Sequence, residues 1–273
     1  MSYEEKKIKL LEEVDKISQE DVVLAFSGGV DSSLLLKLFS KSTKKTDKKI
    51  YAVTIHTKIH PMNDLEISKR VANEMGVDHK IISIDELKEA GIEENPVNRC
   101  YLCKKSIFEK LQKYAEEIGV KQVVEGTNED DLHVYRPGIR AIKELGIKSP
   151  LADSGFTKEE VRKLASELGV SVSNRPSTPC MATRFPYGTM LDYDSIKKVE
   201  EAEKWLRDTG FYNVRIRVHG DIARIEVDKN EIFSLLEKKE KVVEKLKEFG
   251  YNYITLDLEG FRSGSMDIHL SDN

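Results

Sequence analysis

The sequence predicts an α/β fold: a domain built on a mostly parallel sheet, followed by a smaller α+β domain. Three observations in its 273 residues carry that reading. Short apolar runs alternate with amphipathic stretches at helical spacing, the first of those runs ends directly in a glycine-rich loop, and beyond residue 187 the order of elements changes. Parallel strands need a crossover connection, so this alternation with short links places helices on both faces of one sheet.

Residues 3–19 repeat Ile8, Leu10, Leu11, Val14 and Ile17 at helical spacing, and residues 18–21 break the pattern before the apolar run VVLAF. Ser27-Gly28-Gly29-Val30-Asp31-Ser32-Ser33 follows that strand at once and opens a helix whose apolar face holds Leu34, Leu35, Leu36, Leu38 and Phe39. The unit recurs: strand at 50–55, helix at 64–75 closed by Gly76, strand at 79–84, helix at 107–118 ended by Gly119, and strand at 121–124 leading into Glu125-Gly126-Thr127-Asn128. A helix over 158–168 is closed by Gly169, and residues 171–188, with three prolines and no periodicity, read as a loop. Beyond it come a helix over 193–207, alternating strands over 212–218 and 223–227 with a turn at His219-Gly220-Asp221, a helix over 232–249 and a strand over 253–258. This α-β-β-α-β order sets the domains at 1–187 and 188–273.

Lys and Arg number 44 against 48 Asp and Glu, a net charge of −4 with the signs interspersed. That excludes a polyelectrolyte and argues against nucleic acid as the partner. No apolar run approaches the ~20 residues of a membrane helix. The N-terminal MSYEEKKIKLLEEVDKI mixes both charge signs through its apolar positions, unlike a secretory signal, so a cytoplasmic location is expected. Three cysteines are too few for a disulfide scaffold, and their grouping matters more than their number.

The loop at 27–33 has what an anion site requires. Consecutive glycines let backbone N–H groups approach phosphate oxygens, the serines add donors, and a helix points its positive end at the same spot. It lacks the Gly-Lys-Ser/Thr of the Walker pattern and the third glycine of the dinucleotide fingerprint. A plain strand-to-helix turn is the competing account. Cys100-x-x-Cys103 offers two soft thiolate donors and Cys180 a third, which would leave one iron of a [4Fe-4S] cluster open. The pair alone also fits a redox couple, a zinc site completed by histidine, or two small buried side chains. Cys180 has a further reading as a nucleophilic or sulfur-donating thiol, its thiolate favoured by Arg175 and Arg184. Arg215 and Arg217 alternate to one face of a strand, the spacing that presents two guanidinium forks to one phosphate; a cross-strand ion pair to Glu226 is the alternative.

SGGVDSS resembles the PP-loop of the ATP pyrophosphatases, whose fold is adenine nucleotide alpha hydrolase-like. With NPVNRCYLCK, EGTNEDDLHVYRPGIRAIKELGIKSPLADSGFTKEEVRKLA, PCMATRFPYG and VRIRVHGDIARIEV, the sequence resembles the LarE family over essentially its whole length. The resemblance implies an ATP-dependent sulfur transferase that uses Mg²⁺. It would adenylate the carboxylates of pyridinium-3,5-biscarboxylic acid mononucleotide and convert them to thiocarboxylates for the nickel-pincer nucleotide cofactor. By that resemblance Ser27, Gly28, Gly29, Asp31 and Ser32 grip pyrophosphate, Asp31 helps place the metal, Gly126 and Thr127 border the nucleotide, and Arg215 and Arg217 hold the substrate phosphate. Cys100, Cys103 and Cys180 would bind a [4Fe-4S] cluster that carries sulfur, whereas in a sacrificial form Cys180 itself gives up its sulfur. Arg136, Arg140 and Arg184 are further candidates in matching motifs, and a homo-oligomer is implied. A PP-loop tRNA thiolase, a nucleotide-sensing regulator and a structural zinc module are the rival readings.

Overall fold

The computed structural model describes residues 1–134, 137–176, 178–262 and 264–266. The chain divides into two compact units, one of residues 1–91 and 98–178, the other of 92–97 and residues from 179 onward.

In the first unit, helix α1 (Tyr3–Ile17) starts at a capping box between Ser2 and Glu5 and buries Leu10, Val14 and Ile17. Strand β1 (Val22–Ala25) leads into α2 (Val30–Thr43), then β2 (Ile50–His56), α3 (Met62–Met75), β3 (His79–Ser83), the short α4 (Glu86–Glu89), α5 (Arg99–Glu117) and β4 (Gln122–Val124). Helices α6 (Gly138–Glu144), α7 (Pro150–Asp153) and α8 (Lys158–Glu167) complete it. The sheet is parallel throughout in the order β3-β2-β1-β4, with Val22 opposite both Ile50 and Gln122. Strand β1 is central and buried on both faces, which explains its unbroken apolar run. Val22 and Leu24 pack with the α1, α2 and α8 residues, while Val23 joins Phe108, Leu111, Ala115 and Ile142 on the other side. Because all four strands run the same way, the chain leaves β1, β2 and β4 at one common edge.

The expected strands and helices are present, with one difference that bears on chemistry. Helix α5 begins at Arg99 rather than at 107, so Cys100 and Cys103 lie on its first turns instead of in a loop before it. Residues 99–106 lack an apolar stripe. Close packing of α6 substitutes for it: a Cβ on Gly138 would lie 3.2 Å from the Cys100 carbonyl oxygen and closer still to the Lys104 side chain.

The second unit holds α9 (Tyr193–Asp208), β5 (Arg215–His219), β6 (Ile222–Glu226), α10 (Ile232–Glu237), α11 (Lys239–Glu248) and β7 (Tyr253–Leu256). Its sheet runs β5-β6-β7, antiparallel between the first two strands and parallel between the last two. The single helix expected over 232–249 is two, interrupted at Lys238. The boundary expected at 187 falls inside this unit, which starts at Pro179 and also recruits Ile92–Val97. That recruitment is made by hydrogen bonds: Gly188 N–H donates to Asn95 O at 3.0 Å, Leu191 N–H to Glu93 O at 2.7 Å, and the Asn95 amide to Pro186 O at 2.7 Å. Among the described residues, no helix is long and apolar enough to cross a membrane.

The Arg184 guanidinium donates twice to Glu203, Nε and Nη2 each at 2.9 Å, with both side chains at most 2% exposed. Ile216 N–H also donates to this carboxylate at 3.0 Å. Burial opposes the charge on Glu203, but the Arg184 charge and these donors outweigh it and hold the carboxyl below the ordinary glutamate range. Its stabilising contribution is therefore complete above about pH 4.3, the unfolded value, and is lost as pH falls through the lower folded value. Arg184→Met should lower unfolding free energy at pH 7 by about 3–5 kcal/mol in urea titrations, because it removes the bidentate partner of a buried carboxylate and leaves it Arg207 at 3.4 Å and the Ile216 N–H. The variant should also lose the steep acid limb of the wild-type stability curve.

Candidate functional site

At the common sheet edge, β1 ends and α2 begins within four residues. Gly28 adopts φ +70°, and a Cβ there would stand 2.9 Å from both the Cα and N of Ser68 in α3, so the turn admits only glycine. Gly29 caps α2, and Ser33 is the first residue whose N–H finds a helical acceptor, Gly29 O at 3.0 Å. Helix geometry therefore leaves the N–H groups of Val30, Asp31 and Ser32 without an intrahelical partner, at the positive end of a 14-residue helix. The serines brace the turn. Ser32 Oγ donates to Gly29 O at 3.2 Å and accepts from Ser27 N–H at 3.3 Å. Its 3.1 Å contact with Ser27 Oγ is then donated by Ser27, whose oxygen accepts from Gly29 N–H at 3.3 Å.

The end of β4 closes on the same turn. A Cβ on Gly126 would lie 3.1 Å from Asp31 Cβ and from Ser32 N, so glycine lets the two segments touch. The buried Glu125 carboxylate accepts from both the N–H and the hydroxyl of Thr127 at 2.9 Å, fixing the turn that follows. Asn128 Nδ2 donates to one oxygen of Asp31 at 3.1 Å, and Lys158 Nζ forms an ion pair with the other. The expected Ser27, Gly28, Gly29, Asp31, Ser32, Gly126 and Thr127 thus assemble at one place. Lys158 is an addition that the sequence reading passed over. Its signal was a lysine at the first position of a helix, where the dipole disfavours a cation and favours the acidic residues that follow it.

The cysteines are distributed over both units. Cys100 is exposed and Cys103 half-buried, three residues apart on one face of α5. Cys103 donates its S–H to Oε1 of the fully buried Glu86, whose Oε2 has no hydrogen-bond partner among the described residues. Cys180, half-buried in the second unit, precedes a 3₁₀ turn over Met181–Arg184. The two arginines expected to favour its thiolate have other partners: Arg175 binds Asp64 and Gly28 O, and Arg184 binds Glu203, with its Nη1 donating to Thr183 Oγ1 at 3.0 Å and to the Pro179 and Cys180 carbonyls at 3.4 Å. Among the described residues, no group of three or more His, Cys, Asp or Glu side chains is placed to hold a metal ion. By donor chemistry, two thiols on one helical face fit the edge of a soft-metal cluster.

The two arginines of β5 differ from each other. Arg217 is 5% exposed and committed to structure, with Nε and Nη2 on Glu226 at 3.0 and 2.9 Å and Nη1 on Thr183 O at 2.9 Å. Arg215 lies 5.2 Å over the Phe261 ring and donates to Val214 O at 2.8 Å, with no carboxylate in ion-pair range among the described residues. Burial, reinforced by the neighbouring Arg184 charge, pushes its pKa down to about 10. A half-buried guanidinium without a close ion pair favours an anion beside it. Arg140 pairs with Glu144 at the surface, and Arg136 lies outside the described residues.

A family model described as a PP-loop domain matches residues 2–133. The pyridinium-3,5-bisthiocarboxylic acid mononucleotide synthase of Lactiplantibacillus plantarum is 37% identical over 246 residues, covering 90% of this chain and 88% of that enzyme. An uncharacterized protein of Synechocystis sp. is 36% identical over 247 residues, 90% and 91% of the two chains. The tRNA-specific 2-thiouridylase of Rickettsia canadensis is more distant, 27% identical over 202 residues, which span 59% of this chain and 52% of that enzyme.

Gly28→Ala should cost more than about 1 kcal/mol of stability, since the native backbone there disfavours any side chain. Thermal melts without nucleotide, set beside binding of an ATP analogue, should show both quantities falling.

Proposed function

The chain belongs to the LarE family of PP-loop enzymes, and from that premise we propose that it uses ATP to convert the carboxylates of pyridinium-3,5-biscarboxylic acid mononucleotide into thiocarboxylates. The observation that carries this reading is the open helix start at Val30, Asp31 and Ser32, at the sheet edge where glycine, serine and Asp31 converge. Those N–H groups and hydroxyls bind the β and γ phosphates, leaving the α phosphorus open to attack by a substrate carboxylate. Mg²⁺ fits the hard oxygen donors at this edge: Asp31 would hold it, and the ion would neutralise charge gathering on the leaving pyrophosphate. Lys158 adds a cation beside Asp31. Sulfur attack on the acyl adenylate then displaces AMP.

In this reading the second unit binds the substrate's phosphate, and Arg215 is the group that does so, while Arg217 stays held by Glu226. The sulfur carrier is a [4Fe-4S] cluster that Cys100, Cys103 and Cys180 would hold; when bound, it would supply sulfide for the transfer. A second reading draws on the lack of a three-donor group among the described residues: Cys180 itself donates its sulfur once and is left as dehydroalanine. The sulfide source in the cluster form is a separate donor, and the protein works as a homo-oligomer in the cytoplasm. A tRNA substrate is disfavoured by the net charge of −4.

Pyrophosphate release that depends on the pyridinium mononucleotide tests the function directly, and release stimulated instead by tRNA, with salt-sensitive tRNA binding, would overturn it. Arg215→Met should raise KM for the mononucleotide about 10- to 100-fold, the worth of one hydrogen bond to a charged group, and leave KM for ATP unchanged. Anaerobic purification with iron and sulfide counts separates the two sulfur routes. The cluster route expects iron in the wild type and its loss, with loss of turnover, in Cys100→Ala; the sacrificial route expects no iron, and a single turnover that survives the substitution and removes H₂S mass from Cys180.

A further inference from the structure

Arg175 lies in the proline-rich segment after α8, and the chemistry above gives it no role. Its guanidinium reaches into the phosphate loop. Nη1 donates to the Gly28 carbonyl at 3.3 Å, while Nη2 pairs with Asp64 in the first turn of α3 and reaches Thr178 Oγ1 at 3.5 Å. The backbone that carries it is itself anchored, since Arg162 of α8 donates to the carbonyls of Ser173 and Arg175 at 2.8 and 2.9 Å. Both members of the Arg175–Asp64 pair are largely shielded, at 17% and 21% exposure. That shielding raises the pair above the worth of an open surface contact.

The reason for such an arrangement lies in the peptide that joins Gly28 to Gly29. In a trans peptide the carbonyl and the N–H point in opposite directions. With its oxygen committed to Arg175, this peptide turns its N–H the other way, where Gly29 N–H meets Ser27 Oγ at 3.3 Å. Two successive glycines have no Cβ to resist rotation, so this peptide needs an external restraint to keep one orientation. A flipped peptide would present a carbonyl oxygen to the incoming phosphate, an acceptor facing an anion.

We propose that Arg175 is a positioning residue for the nucleotide phosphates: by holding the Gly28 carbonyl it keeps the N–H side of the loop toward the anion, and Asp64 fixes the guanidinium for that task. The proposal rests on residues 27–33 being the phosphate cradle. Equilibrium titration of the full chain with a non-hydrolysable ATP analogue and Mg²⁺ tests it in the wild type, Arg175→Met, Arg175→Lys and Asp64→Asn, each checked for folding by circular dichroism.

Arg175→Met should weaken analogue binding about 10- to 100-fold with a melting temperature close to that of the wild type. Arg175→Lys should recover part of the affinity, and Asp64→Asn should fall between. In turnover, KM for ATP should rise while KM for the mononucleotide stays constant. Wild-type affinity in a folded Arg175→Met overturns the proposal, as does a loss matched by the unfolded fraction. Should that variant not fold, wild-type affinity in folded Arg175→Lys and Asp64→Asn overturns it equally. A wild type that binds no nucleotide overturns the cradle reading instead, which separates the two failures.

Discussion

A helix that begins immediately beyond a doubly buried strand sets the conditions for everything else in the first unit. Val22, Val23 and Leu24 are fully buried, so β1 is fixed at the centre of the sheet, and α2 must start within a few residues of its end. The unsatisfied N–H groups of that helix are then held at an edge shared with the ends of β2 and β4. The serine hydroxyls of the turn do not cap them, because they bond to one another and to Gly29. These hydrogen bonds and the Arg175 contact to the Gly28 carbonyl constrain the turn in advance of a ligand, which limits the entropy lost on binding.

The cationic side chains fall into two groups by what neutralises them. Arg184 and Arg217 each face a buried glutamate, and Lys158 faces Asp31; these charges hold the structure in register and are locally balanced. Arg215 is packed on an aromatic ring with no carboxylate in ion-pair range among the described residues, at the expense of its own proton affinity. A half-buried guanidinium in that condition is stabilised by an anion it meets, whereas its neighbour two residues away has little left to offer one. Two arginines on the same strand face therefore have different chemistry, decided by the residues of adjacent elements.

The order and type of the main elements could be read from the sequence because each strand and helix carries its own periodicity, and the loop at 27–33 because its glycines, serines and Asp31 are contiguous. Lys158 meets Asp31 only through folding: its place at the first position of α8 marks the lysine as unusual but does not name its partner. The early start of α5 escaped for a related reason: residues 99–106 are held helical by the approach of Gly138, a tertiary contact that overrides a weak local pattern. The split of the last long helix at Lys238 and the recruitment of Ile92–Val97 into the second unit are likewise decided by distant partners. Arg215 and Arg217 show the same limit at a single strand, where spacing identified a shared face but not which guanidinium is spoken for.

The recruitment of Ile92–Val97 has a consequence for how the protein is made. These residues leave the ribosome well before the stretch around Pro186 and Leu191 that receives their hydrogen bonds. At about 5–20 residues per second, the interval is roughly 5 to 20 s. During that time the first unit must gather its sheet around a peptide that has no place within it. Biosynthesis of the second unit thus depends on an early segment remaining available, and no single cut in the gene yields both halves intact.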